Sequence, residues 1–109
     1  MTVKQLTPLE LKSRLEEYEA SELLLLDVRE PSEFQYARID NSVLIPLNQI
    51  PHRIEELDPN RETVVICHHG IRSQKAAYYL AYAGFVNVAN LTGGIDAWSV
   101  SCDTSVPRY

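Results

Sequence analysis

Short, almost uniformly apolar runs that alternate with stretches of helical periodicity restrict this chain more than any other feature. Leu23-Leu24-Leu25-Leu26-Asp27-Val28 is too short to span a bilayer, and its lack of alternation suits a strand covered on both faces, as in a parallel sheet. Val43-Leu44-Ile45, Thr63 to Ile66 and Val86 to Leu91 read as further strands. Between them lie helical patterns. Thr7-Pro8-Leu9-Glu10 supplies a cap, a proline at the first helical position and a carboxylate three residues on, which predicts a helix over 8–18. A polar helical turn follows at 32–36, and a helix over 47–57 carries Pro51 in its first turn. Gln74 to Ala83 presents Ala76, Ala77, Leu80 and Ala81 on one face, with Gly84 at its C-terminal cap, and Gly93-Gly94 turns the chain into a short segment, 95–98. Strands separated by helices predict an α/β domain with a mainly parallel sheet, in which ligands bind at the carboxyl ends of the strands.

At 109 residues and 45% apolar composition the chain fits one domain, 1–109, able to bury a core without staples. No basic start followed by an apolar stretch marks a targeting segment, so a soluble, cytoplasmic protein is expected. The net charge of −5 argues against a general nucleic-acid or membrane-surface role, since both need a basic face. Cys67 and Cys102 match neither a zinc spacing nor a disulfide framework, and no cofactor or metal is called for.

Cys67 carries the chemical interest. It ends the run Val64-Val65-Ile66 and precedes His68-His69-Gly70-Ile71-Arg72-Ser73, a loop that opens onto a helical pattern. Unpaired amides and the positive dipole end at a helix start stabilise an anion, and such settings lower a cysteine pKa from about 8.5 to roughly 3.5–7.5. The successive N–H groups from His68 to Arg72 can form a nest around the sulfur, Gly70 permits the close backbone approach, and Arg72 adds a charged fork for a bound anion. The plain alternative is a buried strand cysteine, the commonest fate of a free thiol. His68 and His69 read as loop histidines that add positive field at low pH or are simply exposed, and neighbours in sequence rarely aim at one ion. Asp27, at the same sheet end, can pair with Arg29 or tether the loop, or be an ordinary strand-end carboxylate. Cys102 reads as a bystander rather than a resolving thiol, and His52 as a surface residue.

Four segments together resemble the single-domain rhodaneses, the sulfurtransferase family: Leu26-Asp27-Val28-Arg29-Glu30-Pro31-Ser32-Glu33-Phe34, Ile45-Pro46-Leu47, Cys67 to Ser73, and Gly93-Gly94-Ile95-Asp96-Ala97-Trp98. The resemblance implies a parallel five-stranded sheet with helices on both faces. It also implies a cysteine, Cys67, that carries sulfur as a persulfide, taken from a small donor such as thiosulfate and passed to cyanide, a thiol or a protein acceptor. The loop through Arg72 and Ser73 would hold that persulfide, with Asp27 and Arg29 in support. The chain departs from the family at Ala37-Arg38-Ile39-Asp40-Asn41-Ser42, where Gly-His-Ile-Pro-Gly-Ala is common, and Arg38 in place of histidine changes what approaches the site. That variant and the Val106-Pro107-Arg108-Tyr109 ending are similar to rhodanese-like domains attached to adenylating enzymes that sulfurate carrier proteins. Two other functions compete. A related phosphatase or arsenate reductase would have five residues between Cys and Arg, against four here, and an inert binding or sensor module usually lacks the cysteine.

Overall fold

A computed structural model describes residues 2–17 and 22–109. Its strands are β1 (Val3–Leu6), β2 (Leu23–Asp27), β3 (Val43–Leu44), β4 (Glu62–Ile66) and β5 (Val88–Leu91). The helices are α1 (Pro8–Glu17), α2 (Pro31–Tyr36), α3 (Ile50–Arg53), α4 (Ile71–Tyr82) and α5 (Gly94–Ser101). All strand pairs are parallel, in the order β1-β5-β4-β2-β3.

Period-two alternation divides the core between the two sheet faces. Leu23, Leu25, Val64 and Ile66 point to one face, where Leu11 of α1 and Ile95 and Trp98 of α5 cover them. Leu24, Leu26, Val65 and Cys67 point to the other, beneath Ile50 of α3 and Ala76, Ala77 and Leu80 of α4. A strand buried on both sides needs apolar residues at every position, and all five residues of β2 are buried.

The expected helices form with differences that have local causes. The Thr7–Glu10 capping box is present: the Glu10 N–H donates to Thr7 Oγ1 at 3.2 Å and the Thr7 N–H donates to Glu10 Oε1 at 2.9 Å. Residues 47–57 do not form one helix but a 3₁₀ turn at Leu47–Gln49, the single turn α3, and a second 3₁₀ turn at Ile54–Glu56. Pro51 does sit in the first turn of α3, but it has no N–H to bond a preceding carbonyl, so the α-ladder cannot run through it. Helix α4 starts at Ile71 rather than 74, and α5 runs to Ser101, past 98. The far end expected for the first helix, Tyr18, lies outside the described residues. β1 is invisible to a search for apolar runs because Lys4 and Gln5 are exposed on this sheet edge, yet it pairs with β5 from Val3–Val88 to Leu6–Leu91.

This strand order creates the crevice that matters. From β4 the chain crosses to β5 on one side, while from β2 it crosses to β3 on the other, so the carboxyl ends of β2 and β4 flank a topological switch point. Asp27 ends β2, Ile66 ends β4, and the two are register partners.

Candidate active site

Cys67 follows β4 directly, and Gly70, with φ +101°, caps α4 three residues later. The turn is pinned from outside by α5. Ile95 N–H donates to the Cys67 carbonyl at 2.8 Å and Asp96 N–H to the His68 carbonyl at 3.1 Å. This approach requires glycine at 94, because a Cβ there would lie 2.4 Å from both carbonyl oxygens.

Cys67 is 1% exposed and packs with the aliphatic cluster under α4, but its sulfur also has polar partners. The Gly70 N–H donates to Sγ at 3.0 Å, and Ser73 Oγ lies 3.2 Å from it. Of the successive loop amides expected to converge, this is the one whose hydrogen bond reaches the sulfur among the described residues; the free first-turn amides of α4 supply the dipole end nearby. Ser73 is tied in turn to Asn90. The Asn90 amide nitrogen faces two acceptors, Gln5 Oε1 at 3.1 Å and the Gly70 carbonyl at 3.4 Å, which leaves Oδ1 to accept the Ser73 hydroxyl at 2.5 Å. With its single proton on Asn90, Ser73 turns a lone pair to the sulfur and accepts the S–H of the neutral thiol. Asn90 therefore orders both groups that touch Cys67.

A second network lies beside the loop. Asp27 and Arg29 form a fully buried pair, with Arg29 Nη2 donating to Asp27 Oδ2 at 2.7 Å and to the Ala37 carbonyl at 2.5 Å. Arg29 Nη1 donates to the Tyr109 hydroxyl at 2.7 Å. A guanidinium only donates, so the single hydroxyl proton goes to Glu33 Oε2, also at 2.7 Å. Glu33 meets Arg72 in a two-pronged pair of 2.6 and 2.9 Å, and its Oε1 accepts the Glu30 N–H at 3.0 Å. Arg72, with these other donors, holds the Glu33 carboxyl down at about 2, while burial pushes the Tyr109 phenol up to about 12. The Tyr109 ring stacks on His68 with centroids 4.1 Å apart, and His68 stacks on His69 at 4.0 Å.

The structure thus brings Cys67, Gly70 and Ser73 together at the sulfur and sets His68, His69 and Arg72 around them. Ile71 projects outward, 71% exposed. Arg72 directs both terminal nitrogens to Glu33, so its fork faces a carboxylate of this chain. Arg38 is not drawn in: it is exposed, bonded to the Phe34 carbonyl at 3.2 Å and placed over the Phe34 ring. Asn41 answers one departure from the family pattern. It holds φ +67° at a position where glycine is common, and asparagine tolerates this region better than most residues. Cys102 packs on the α1 and α5 face, across the sheet from Cys67. His68, His69 and Asp96 bring ligand atoms within 4.8 Å of one another. Parallel stacked rings send their lone pairs side by side instead of toward one ion, and Asp96 is already paired with Arg108 at 2.9 Å.

Glu33, Tyr109, Asn90 and Gly94 escaped the sequence reading as site residues. A buried asparagine within an apolar strand was the visible signal for Asn90. Tyr109 gave none, since sequence distance says nothing of its return to the loop.

The profile of the rhodanese-like domain family matches residues 7–101. A rhodanese-like/PpiC domain-containing protein 12, chloroplastic, of Arabidopsis thaliana is 38% identical over 98% of this chain, which spans 38% of that protein's length. A thiosulfate sulfurtransferase GlpE of Shewanella oneidensis is 39% identical over 73% of this chain and 79% of its own. The crystal structure of a rhodanese-like domain protein from Staphylococcus aureus superposes with a TM-score of 0.83, at 31% identity, covering 98% of this chain and 99% of that one. The chain belongs to the rhodanese-like domain family, and its five-stranded parallel sheet is that family's fold. Among the described residues, no helix is long and apolar enough to cross a membrane.

Proposed function

We propose that this chain is a sulfurtransferase in which Cys67 takes a sulfane sulfur from a small donor and passes it, as a persulfide, to a thiophilic acceptor: cyanide, a thiol or a carrier protein. Relatives named as sulfurtransferases support the class of reaction. The observation that carries the reading is the sulfur's position at a switch point, on the Gly70 N–H at the start of α4. The Cys67 thiolate attacks the outer sulfur of thiosulfate, the S–S bond breaks, and sulfite leaves with the electron pair. The acceptor then attacks the outer sulfur of the Cys67 persulfide and restores the thiolate. The Gly70 N–H and the dipole end of α4 stabilise the anion at both stages. Residues 1–109 act in this reading as one domain working in the cytoplasm.

The arrangement favours sulfur transfer over phosphoester chemistry. Four residues separate Cys67 from Arg72, and Arg72 is held on Glu33 instead of curling over a tetrahedral anion. The test is a steady-state assay of thiocyanate formed from thiosulfate and cyanide, run beside hydrolysis of an aryl phosphate. Thiocyanate is expected, and it should vanish in Cys67→Ser. Phosphate release without sulfur transfer would refute the reading.

A further inference from the structure

Among the described residues, the arginines near Cys67 are held in ion pairs. The three arginines tied into the site each face a carboxylate: Arg29 with Asp27, Arg72 with Glu33 and Arg108 with Asp96. Arg72 supplies the only permanent positive charge between residues 67 and 73. The start of α4 adds only about half an elementary charge. A chain of net charge −5 surrounds these paired arginines.

Glu33 is the carboxylate that closes the account at Arg72, and it is built to stay ionised and in place. Its Oε1 accepts Arg72 Nη1 and the Glu30 N–H, and its Oε2 accepts Arg72 Nη2 and the Tyr109 hydroxyl. Four donors fill its four lone-pair sites. Tyr109 cannot turn its proton away, because Arg29 occupies its acceptor side. An incoming dianion would thus meet a partly exposed arginine already matched by an internal anion.

We propose that Glu33 is a specificity-determining residue: by holding Arg72 in a two-pronged ion pair it leaves the Cys67 loop without an unmatched arginine, so the site favours a thiol persulfide of low charge over a dianionic donor such as thiosulfate. This rests on the sulfurtransferase reading. With a persulfide donor, the Cys67 thiolate attacks the outer sulfur of RS–SH, the S–S bond breaks, Cys67 becomes the hydropersulfide, and RS⁻ leaves to take a proton from solvent. No outside oxidant or reductant enters.

The experiment follows sulfur loading of Cys67 by quenched intact-mass spectrometry, with thiosulfate and with the hydropersulfide of 2-mercaptoethanol as donors. Wild type, Glu33→Gln, Arg72→Gln and the double variant are compared as the ratio of the two second-order rate constants, so that the donors' intrinsic reactivities cancel. Local charge changes by +1, −1 and 0 in the three variants. The thiosulfate-to-persulfide ratio is expected to rise about tenfold in Glu33→Gln, to fall about tenfold in Arg72→Gln, and to return near wild type in the double variant. An unchanged or lower ratio in folded Glu33→Gln overturns the proposal. Should that variant fail to fold by circular dichroism, Arg72→Gln carries the test, and an unchanged ratio there overturns it. Loading of wild type by neither donor would instead overturn the sulfurtransferase reading, and the donor preference with it.

Discussion

Replacing Gly94 by alanine tests how the loop is held. A Cβ at this position would sit 2.4 Å from the carbonyl oxygens of Cys67 and His68 and 2.5 Å from the His68 carbonyl carbon, so backbone must move apart from backbone. Relieving the overlap separates α5 from the loop and breaks Ile95 N–H to Cys67 O and Asp96 N–H to His68 O. These bonds contribute roughly 1 kcal/mol each. A left-handed φ of +62° costs alanine about 1–2 kcal/mol more. The sum, roughly 3–4 kcal/mol, is a large share of the roughly 5–15 kcal/mol that stabilises a typical domain. Urea unfolding at neutral pH reads it directly. With a slope of roughly 1–3 kcal/mol per molar, the midpoint should drop by about 1 M or more. Gly84→Ala is the control: φ there is +105°, but nothing lies within 4 Å of the added Cβ, so only the conformational strain applies. A Gly94→Ala protein no less stable than Gly84→Ala would refute this account of the loop.

Asp27→Asn leaves Arg29 charged and fully buried without its partner, and should cost about 3–5 kcal/mol in the same unfolding assay; a loss below about 1 kcal/mol would mean that Arg29 finds compensation elsewhere. Glu33 has its pKa lowered from 4.5 to about 2 by Arg72, so its stabilising effect is complete above pH 4.5 and disappears as pH falls toward 2. The stability gap between wild type and Glu33→Gln, followed by urea unfolding, should therefore narrow across that window; a gap constant from pH 5 to 2 would contradict the ion pair. Cys102→Ser, across the sheet from the reactive thiol, should leave sulfur loading at the wild-type rate, whereas a resolving role would show as a changed rate.

Much of this arrangement can be read from residues whose role is local. The uninterrupted apolar run at Leu23–Leu26 announces a strand covered on both faces, and Thr7 with Glu10 announces a helix start. The Cys67 loop is legible as a strand-to-helix turn because Gly70 follows an apolar strand and precedes Ala76, Ala77 and Leu80 on one helical face. What escapes is what depends on distant partners. β1 is held by pairing with β5 more than by its own half-exposed residues, so Val3 to Leu6 carries too little pattern. Arg72 reads as a free anion-binding fork until Glu33, 39 residues away in sequence, arrives beside it. Tyr109 joins Arg29 and Glu33 from the far end of the chain. Residues 47–57 have helical periodicity, but Pro51 decides the local geometry, and periodicity alone does not weigh one missing donor.

Sulfur bound to Cys67 itself is the most direct object of measurement. Intact-mass spectrometry after exposure to a sulfane donor should show one added sulfur atom on wild type and on Cys102→Ser, removable by cyanide, and none on Cys67→Ser. Wild-type protein that gains no sulfur, or Cys67→Ser protein that gains it equally, would contradict a persulfide carried on the thiol beneath Gly70.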